Sequence, residues 1–447
     1  MVESAVDLSQ GVFRPVSEEI STGPLDCSGS IPTDLNGRWL RNGPNPHNGS
    51  FIGNDTFSWF LGDGMVHGIH LENGQALSYT NRWVKTATLA RAQGQDVETD
   101  TPANTNIIRL GDQLLALCEG GVPHQMTNDL TTVGPQDFGG ALPGGHMTAH
   151  PKFDAATGET IAFDYDWKQP FGRYFIFNSA GTITHSSEIP LDGPSMMHDF
   201  AVTASRSIFL DLPVVFDLKM AMHGRAMPYR WTPDYKARLG VLPRYEDGAA
   251  IRWFEIEPCF IFHTMNAYDD GDSVVLDAVR YERLLRFDFD SDAFIPDDSP
   301  GILTRFELNL ATGQVRESVL CDANVEFPRV GEALVGQPYR AGYAVEFAPN
   351  LMDTLGLIRF DTDSGNVTRW QHQPGDAVGE PLFVPRQGAE PLTATDGYLL
   401  YPLYRGNEDR SALQIRDAGN LAGGVLASIE LPTRIPAGFH GNWISAS

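Results

Sequence analysis

Four of the twelve histidines in this 447-residue chain stand out by their neighbours. They are His150 in TAHPKFD, His198 in MMHDFAV, His263 in FIFHTMNAY and His440 in GFHGNW. Each has apolar or small flanking residues and a strand-like run beside it. Taken singly, such a histidine is commonly a core residue with both ring nitrogens hydrogen-bonded. Taken together, four neutral imidazoles form a donor set that suits zinc, copper, iron or nickel, and without a carboxylate among them a bound ion keeps its full 2+ charge. The other eight (His47, His67, His70, His124, His146, His185, His223 and His372) mostly sit in polar or turn contexts, where surface or local hydrogen-bonding roles suffice.

A metal-bound imidazole normally donates its second N–H to a carboxylate or carbonyl, which sets its tautomer and orientation. Three glutamates lie in apolar or glycine-rich settings: Glu119 in LALCEGG, Glu326 in VEFPR and Glu380 in GEPLFVPR. A lone buried glutamate is costly unless paired. The plainer alternative makes all three turn residues facing water.

Other chemistries lose their main supports. No G-x-S-x-G elbow, HExxH pair or GxxxxGK[ST] loop is present. GDGMVHG at 62–68 has the glycines of a phosphate loop, but its aspartate repels phosphate and no lysine follows. The H-x-E of HLE at 70–72 lacks the P-C-x-x-C that accompanies it in deaminases. A net charge of −25 argues against a nucleic-acid partner, since phosphate binding needs a basic surface. Four scattered cysteines, Cys27, Cys118, Cys259 and Cys321, suggest neither a disulfide scaffold nor a zinc knuckle. The opening MVESAVDLSQG does not resemble a signal peptide and no long apolar run exists, so the expectation is a cytoplasmic protein.

The elements that would have to position the histidines read as β hairpins from end to end. Five pairs of alternating or β-branched runs turn at Glu72-Asn73-Gly74, Thr157-Gly158, Asn178 to Gly181, Gly313 and Gly365. With 45 glycines and 30 prolines and no break in composition, this suggests one β domain closed on itself. A propeller of about seven four-stranded blades, each of roughly 60 residues, fits the length, although no clean sequence repeat is present and a pair of β-sandwiches stays open. Four histidines spread over the chain suit blades that each send one residue to a central axis. The segment 207–231, SIFLDLPVVFDLKMAMHGRAMPYRW, is apolar and methionine-rich. It reads equally as a buried strand with a short core helix, or as an excursion that lines a greasy pocket or touches a membrane.

In its ordered blocks the chain resembles the carotenoid cleavage oxygenases: GRWLRNGPNP, WFLGDGMVHG, NRWVKT, ANTNII, ALCEGGVPHQM, TAHPKFD, MMHDFAVT, FHTMNAYDDGD, VEFPR, GEPLFVPR, DGYLL and LPTRIPAGFHGNW. The resemblance covers nearly the whole chain. It implies an all-β fold, a seven-bladed β-propeller with a dome of loops and short helices over its top face, as a single domain over 1–447. It implies Fe(2+) held by His150, His198, His263 and His440, with Glu119, Glu326 and Glu380 orienting three of them. The implied reaction is cleavage of a C=C bond of a carotenoid or apocarotenoid by O2 into two carbonyl products, without nicotinamide, flavin or 2-oxoacid.

Members of the family that cleave stilbenes or phenylpropenes typically carry a lysine just before the first of these glutamates, where this chain has Cys118. The stilbene cleavers also tend to have a tyrosine where it has Trp83. That disfavours a phenolic substrate and leaves cleavage of a stilbenoid or phenylpropene to an aromatic aldehyde as the alternative. A propeller that has lost its metal and only binds ligand is a further alternative, but the ligand set here is intact. Proximity to the matched blocks nominates Phe60, Trp83, Cys118 and Phe262 as substrate contacts. The expected partners are a small hydrophobic alkene and O2, with peripheral membrane contact at 207–231 in keeping with such a substrate.

Overall fold

A computed structural model describes residues 7–49, 56–98, 100–225, 227–290, 293–294, 299–349, 352–389 and 395–446. It is nearly all β, 47% strand and 6% helix. The five hairpins expected from glycine turns are all present, as Gly64–Glu72 with Gln75–Trp83, Lys152–Asp154 with Glu159–Tyr165, Gly172–Phe177 with Ile183–Ile189, Ile302–Asn309 with Val315–Arg329, and Thr354–Asp361 with Val367–Gln371. In the first, Glu72 pairs with Gln75 across a two-residue loop. Asn73 (φ 49°) and Gly74 (φ 75°) both take positive φ, the left-handed pair whose twist matches that of the flanking strands.

Among the described residues the larger sheets number six: one of five strands, one of six, one of seven and three of four. The seven-stranded sheet contains the 15-residue strand Val315–Arg329. The first half of this strand pairs with Ile302–Asn309 and its second half with Ala341–Phe347, and the register shifts in both pairings. That sheet therefore consists of two four-stranded sheets joined at a shared strand, which makes seven larger sheets among the described residues, the number expected of seven blades.

The chain divides into two compact units. One comprises Met1–Ala149, Thr354–Ile358 and Thr368–Ser447. Here the strand Gly441–Ser445 pairs with Gly37–Pro44, and Cys27–Gly29 pairs with Ala427–Glu430, so early and late segments of the sequence share sheets. Trp39, Ile69, Tyr79, Leu400, Leu413 and Ile429 pack as a core there. The other unit comprises His150–Asp353 and Arg359–Val367. Its core includes Phe163, Phe200, Phe209 and Tyr174, in edge and stacked contacts with centroids 5.0–6.5 Å apart.

The segment 207–231 combines features of both readings. Its first strand, Arg206–Asp211, is buried within a four-stranded sheet. The chain then leaves that sheet as a separate two-stranded hairpin, Val214–Phe216 with Tyr229–Trp231. The five-residue helix Leu218–Met222 between them buries only Met220. It exposes Leu218 at 58% and Met222 at 79%, so it is not a core helix. Among the described residues no helix is long and apolar enough to cross a membrane.

Candidate metal centre

Each of the four histidines stands at or near the start of an edge strand of a different sheet. His150 precedes Lys152–Asp154, His198 precedes Ala201–Val202, His440 precedes Gly441–Ser445, and His263 lies within Phe260–Asp270. At His263 the pairing with the next strand breaks, the register shifting between Ile261 and Thr264. Such a bulge re-aims one side chain without ending the strand. The backbone of His440 is held on both sides, its N–H donating to Thr105 O (3.0 Å) and its carbonyl accepting from Asn42 N (2.9 Å). Gly441 sits so close to the neighbouring strand that a Cβ there would run into the Leu40 carbonyl. The glycine after His440 is thus needed for close approach.

The side chains converge. One ligand-type atom from each of His150, His198, His263 and His440 lies within 4.8 Å of the other three, and all four residues are buried or nearly so. The rings of His150, His198 and His263 stand 4.5–5.0 Å apart, and His150 Nε2 is 3.0 Å from His198 Nε2. Two imidazole nitrogens that close must either share a proton or turn both lone pairs to one cation, and 3.0 Å is a spacing that two donors about 2 Å from a common ion can adopt.

Glu326 and Glu380 are hydrogen-bonded behind this cluster. Glu326 Oε2 is 2.5 Å from His263 Nδ1 and accepts the Phe327 N–H (2.6 Å), while its Oε1 accepts the Tyr281 hydroxyl (3.0 Å). Glu380 Oε1 is 2.9 Å from His440 Nδ1, and its Oε2 accepts the Gly441 N–H (3.0 Å). With the carboxylate at Nδ1, each ring is favoured to carry its proton there, which gives Nε2 the lone pair that a metal ligand needs. Burial pushes the Glu326 carboxyl up, but the His263 ring and the three hydrogen bonds outweigh it, so its pKa is lowered. Both glutamates are buried, against the water-facing alternative. Glu119 differs, being half-buried on the turn after Gln113–Leu117.

The residues nominated as substrate contacts fall in different surroundings. Phe262 meets the His198 ring edge-on at 5.2 Å. Phe60 stacks on Phe439, the residue before His440, at 5.4 Å. Trp83 packs with Val16, Met65 and Leu89 and donates its indole N–H to Asn45 O at 2.8 Å. Cys118 lies 3.6 Å from Asn104 Oδ1, and burial pushes its thiol up to about 11, so it is a neutral thiol at ordinary pH. Sequence reasoning did not single out Phe327, whose φ of 54° accompanies a ring stacked 5.6 Å from His263. Of the eight histidines assigned to polar contexts, His67 and His124 are buried. Each is locally bonded, His67 Nδ1 to the Tyr79 hydroxyl (2.8 Å) and His124 Nδ1 to Val122 O (3.2 Å).

Four buried imidazoles, two of them backed by carboxylates, fit a divalent transition metal by donor type and by spacing. The seven larger β-sheets and this donor set fit a metal-dependent propeller enzyme. A family model described as retinal pigment epithelial membrane protein matches residues 13–445. The chain is 36% identical to the carotenoid cleavage oxygenase of Mycobacterium tuberculosis, the match covering 99% of this chain and 98% of that protein. The crystal structure of Pseudomonas brassicacearum lignostilbene dioxygenase is similar at a TM-score of 0.90 and 28% identity over 98% of both chains. Cobalt-substituted Synechocystis apocarotenoid oxygenase is similar at a TM-score of 0.86 and 28% identity over 97% of both. The chain belongs to the carotenoid cleavage oxygenase family, and it is an oxygenase with the seven-bladed propeller fold.

Proposed function

We propose that the chain holds Fe(II) through His150, His198, His263 and His440 and uses O2 to cleave one C=C bond of a carotenoid or apocarotenoid. The observation that carries this reading is the convergence of the four imidazoles, with no carboxylate grouped with them among the described residues. An ion held there would supply the redox chemistry that O2 needs. The overall reaction balances without a co-reductant. Both bonds of the C=C break, each carbon takes one oxygen atom as C=O, and the alkene provides all four electrons that O2 accepts.

The protein's own part is positioning. Glu326 and Glu380 keep His263 and His440 protonated at Nδ1 and fixed in orientation, and we assign Glu119 the same task for a third histidine. Phe60, Trp83, Cys118 and Phe262 are proposed to wall the alkene and exclude water. The reading treats 1–447 as one functional domain.

The neutral Cys118 thiol supports a hydrocarbon-like substrate, because it offers no charge to a phenolate. The likeness to the lignostilbene dioxygenase favours the second reading, cleavage of a stilbenoid or phenylpropene. Supplying the Fe(II) protein with an apocarotenal and, separately, with a hydroxystilbene or isoeugenol distinguishes them. Paired aldehydes from the apocarotenal support the first reading, and an aromatic aldehyde alone makes the second correct. The exposed Leu218 and Met222, together with Trp167 at 46% exposure stacked on Phe216 at 5.2 Å, support peripheral membrane contact as the route by which an apolar substrate arrives.

A further inference from the structure

Asp199 follows His198 directly in the chain and is buried. Its Oδ1 pairs with Lys152 Nζ at 2.7 Å, two residues after His150, and accepts the Phe200 N–H at 2.8 Å. Its Oδ2 accepts both the N–H and the hydroxyl of Thr264, at 2.8 and 2.9 Å, one residue after His263. A carboxylate has about four lone-pair sites, and here four donors occupy them. Removing one partner of such a buried, fully paired charge is far more disruptive than removing a surface ion pair.

These four bonds join three chain segments at the residues that adjoin three of the histidines. All of them lie within one compact unit, His150–Asp353. Lys152 and Thr264 also stand on edge strands of different sheets, so no single sheet ladder sets the spacing between His150, His198 and His263. The Asp199 carboxylate bonds directly from its own segment to the other two, and the Thr264 hydroxyl also lies 3.1 Å from Phe200 O.

We infer that Asp199 is a positioning residue of the metal centre, holding His150, His198 and His263 in mutual register through the backbone beside each. The inference rests on reading the histidine cluster as a metal site. Asp199→Asn keeps the size of the side chain and can still accept from Thr264, but it loses the charge facing Lys152 and turns an amide toward that ammonium.

The test is Co(II) binding by the metal-free full-length protein, measured anaerobically by chelator competition, together with the visible ligand-field spectrum of the bound ion. Asp199→Asn is expected to weaken Co(II) binding by about tenfold or more, as losses behind metal ligands do, and to change the spectrum. Asp277→Asn is the control, removing an equally buried carboxylate that Arg305 and Tyr339 hold (2.6–2.8 Å). It is expected to lower thermal stability while leaving Co(II) affinity within twofold of wild type. If Asp199→Asn does not fold, Thr264→Val, which keeps the N–H bond to Asp199 and loses the hydroxyl shared between Asp199 Oδ2 (2.9 Å) and Phe200 O (3.1 Å), is expected to shift affinity in the same direction by a smaller factor. Wild-type affinity and spectrum in folded Asp199→Asn, or in Thr264→Val where that variant stands in, overturn the inference. Wild-type protein that binds no Co(II) removes the metal reading itself, and the inference with it.

Discussion

Glu380 grips the His440 segment at two points, Oε1 to the imidazole Nδ1 (2.9 Å) and Oε2 to the backbone N–H of Gly441 (3.0 Å). One carboxylate thus sets both the tilt of the ring and the path of the chain beneath it. Glu380→Gln leaves an acceptor for one bond only and removes the charge that favours a proton on Nδ1. Metal affinity is expected to fall about 10- to 100-fold, read by chelator competition under anaerobic conditions, with a smaller change in the stability of the metal-free protein. Equal losses of stability with and without metal would mean that the pair only packs.

Gly441 is the second support of the same histidine. A Cβ there meets the carbonyl of Leu40 on the paired strand Gly37–Pro44, and backbone cannot yield as a side-chain tip can. Gly441→Ala is expected to cost about 1–3 kcal/mol, the usual range for overpacking, measured by urea unfolding. It should also lower the amount of metal retained. An alanine variant as stable as wild type would show that the strand can move aside.

The pH dependence of stability has an identifiable contributor in His67. Burial, with the Arg41 charge adding to it, holds the pKa of His67 down at about 3, whereas an ordinary histidine titrates near about 6.5. The folded protein keeps the ring neutral, so as pH falls below the ordinary value only the unfolded chain takes up the proton. This contribution is complete above about pH 6.5 and is lost as pH falls toward the folded value, by roughly 1.4 kcal/mol per pH unit. His67→Gln, which can still bond the Tyr79 hydroxyl, is expected to flatten the loss of stability between about pH 6.5 and pH 5 by roughly 1.5–2 kcal/mol. Denaturant unfolding of both proteins across that range checks it, and parallel curves would contradict it.

The helix Leu218–Met222 presents two exposed apolar side chains beside the stacked Trp167 and Phe216. If this face meets a lipid surface, the double substitution Leu218→Ser with Met222→Ser should reduce the fraction of protein that floats with phosphatidylcholine vesicles several-fold, since about 0.8 kcal/mol is lost per buried methylene. Turnover of a substrate presented in detergent should change little. Unchanged flotation would assign those side chains no membrane role.

The hairpins were legible because their signal is local, alternation on both sides of a residue that tolerates positive φ, as at Asn73-Gly74 and Gly313. Burial of Glu326 and Glu380 was legible as a conflict between a charge and its apolar neighbours. Glu119 carries the same kind of signal yet lies half-buried on a turn, so the pattern alone does not determine burial. The four histidines were legible among the twelve by their apolar or small neighbours, whereas their assignment as one iron ligand set came from the family resemblance. Asp199 lies in the conspicuous MMHDF, but its partner Thr264 is 65 residues away, and no local pattern encodes a bond across sheets. The exposure of Met222 was open for the opposite reason, because an apolar run reads alike whether it faces a core or solvent.

If four imidazoles hold a redox-active ion, that ion lets O2 cleave an alkene, and an ion without redox chemistry does not. The most direct measurement is the stoichiometry of O2 uptake and aldehyde formation with an apocarotenal, using metal-free protein reloaded in parallel with Fe(II) or Zn(II). The account predicts one O2 consumed and two carbonyl products formed per alkene with Fe(II), no turnover with Zn(II), and no turnover by His263→Ala, which loses a donor. Equal product with Zn(II), or full activity in His263→Ala, would contradict it.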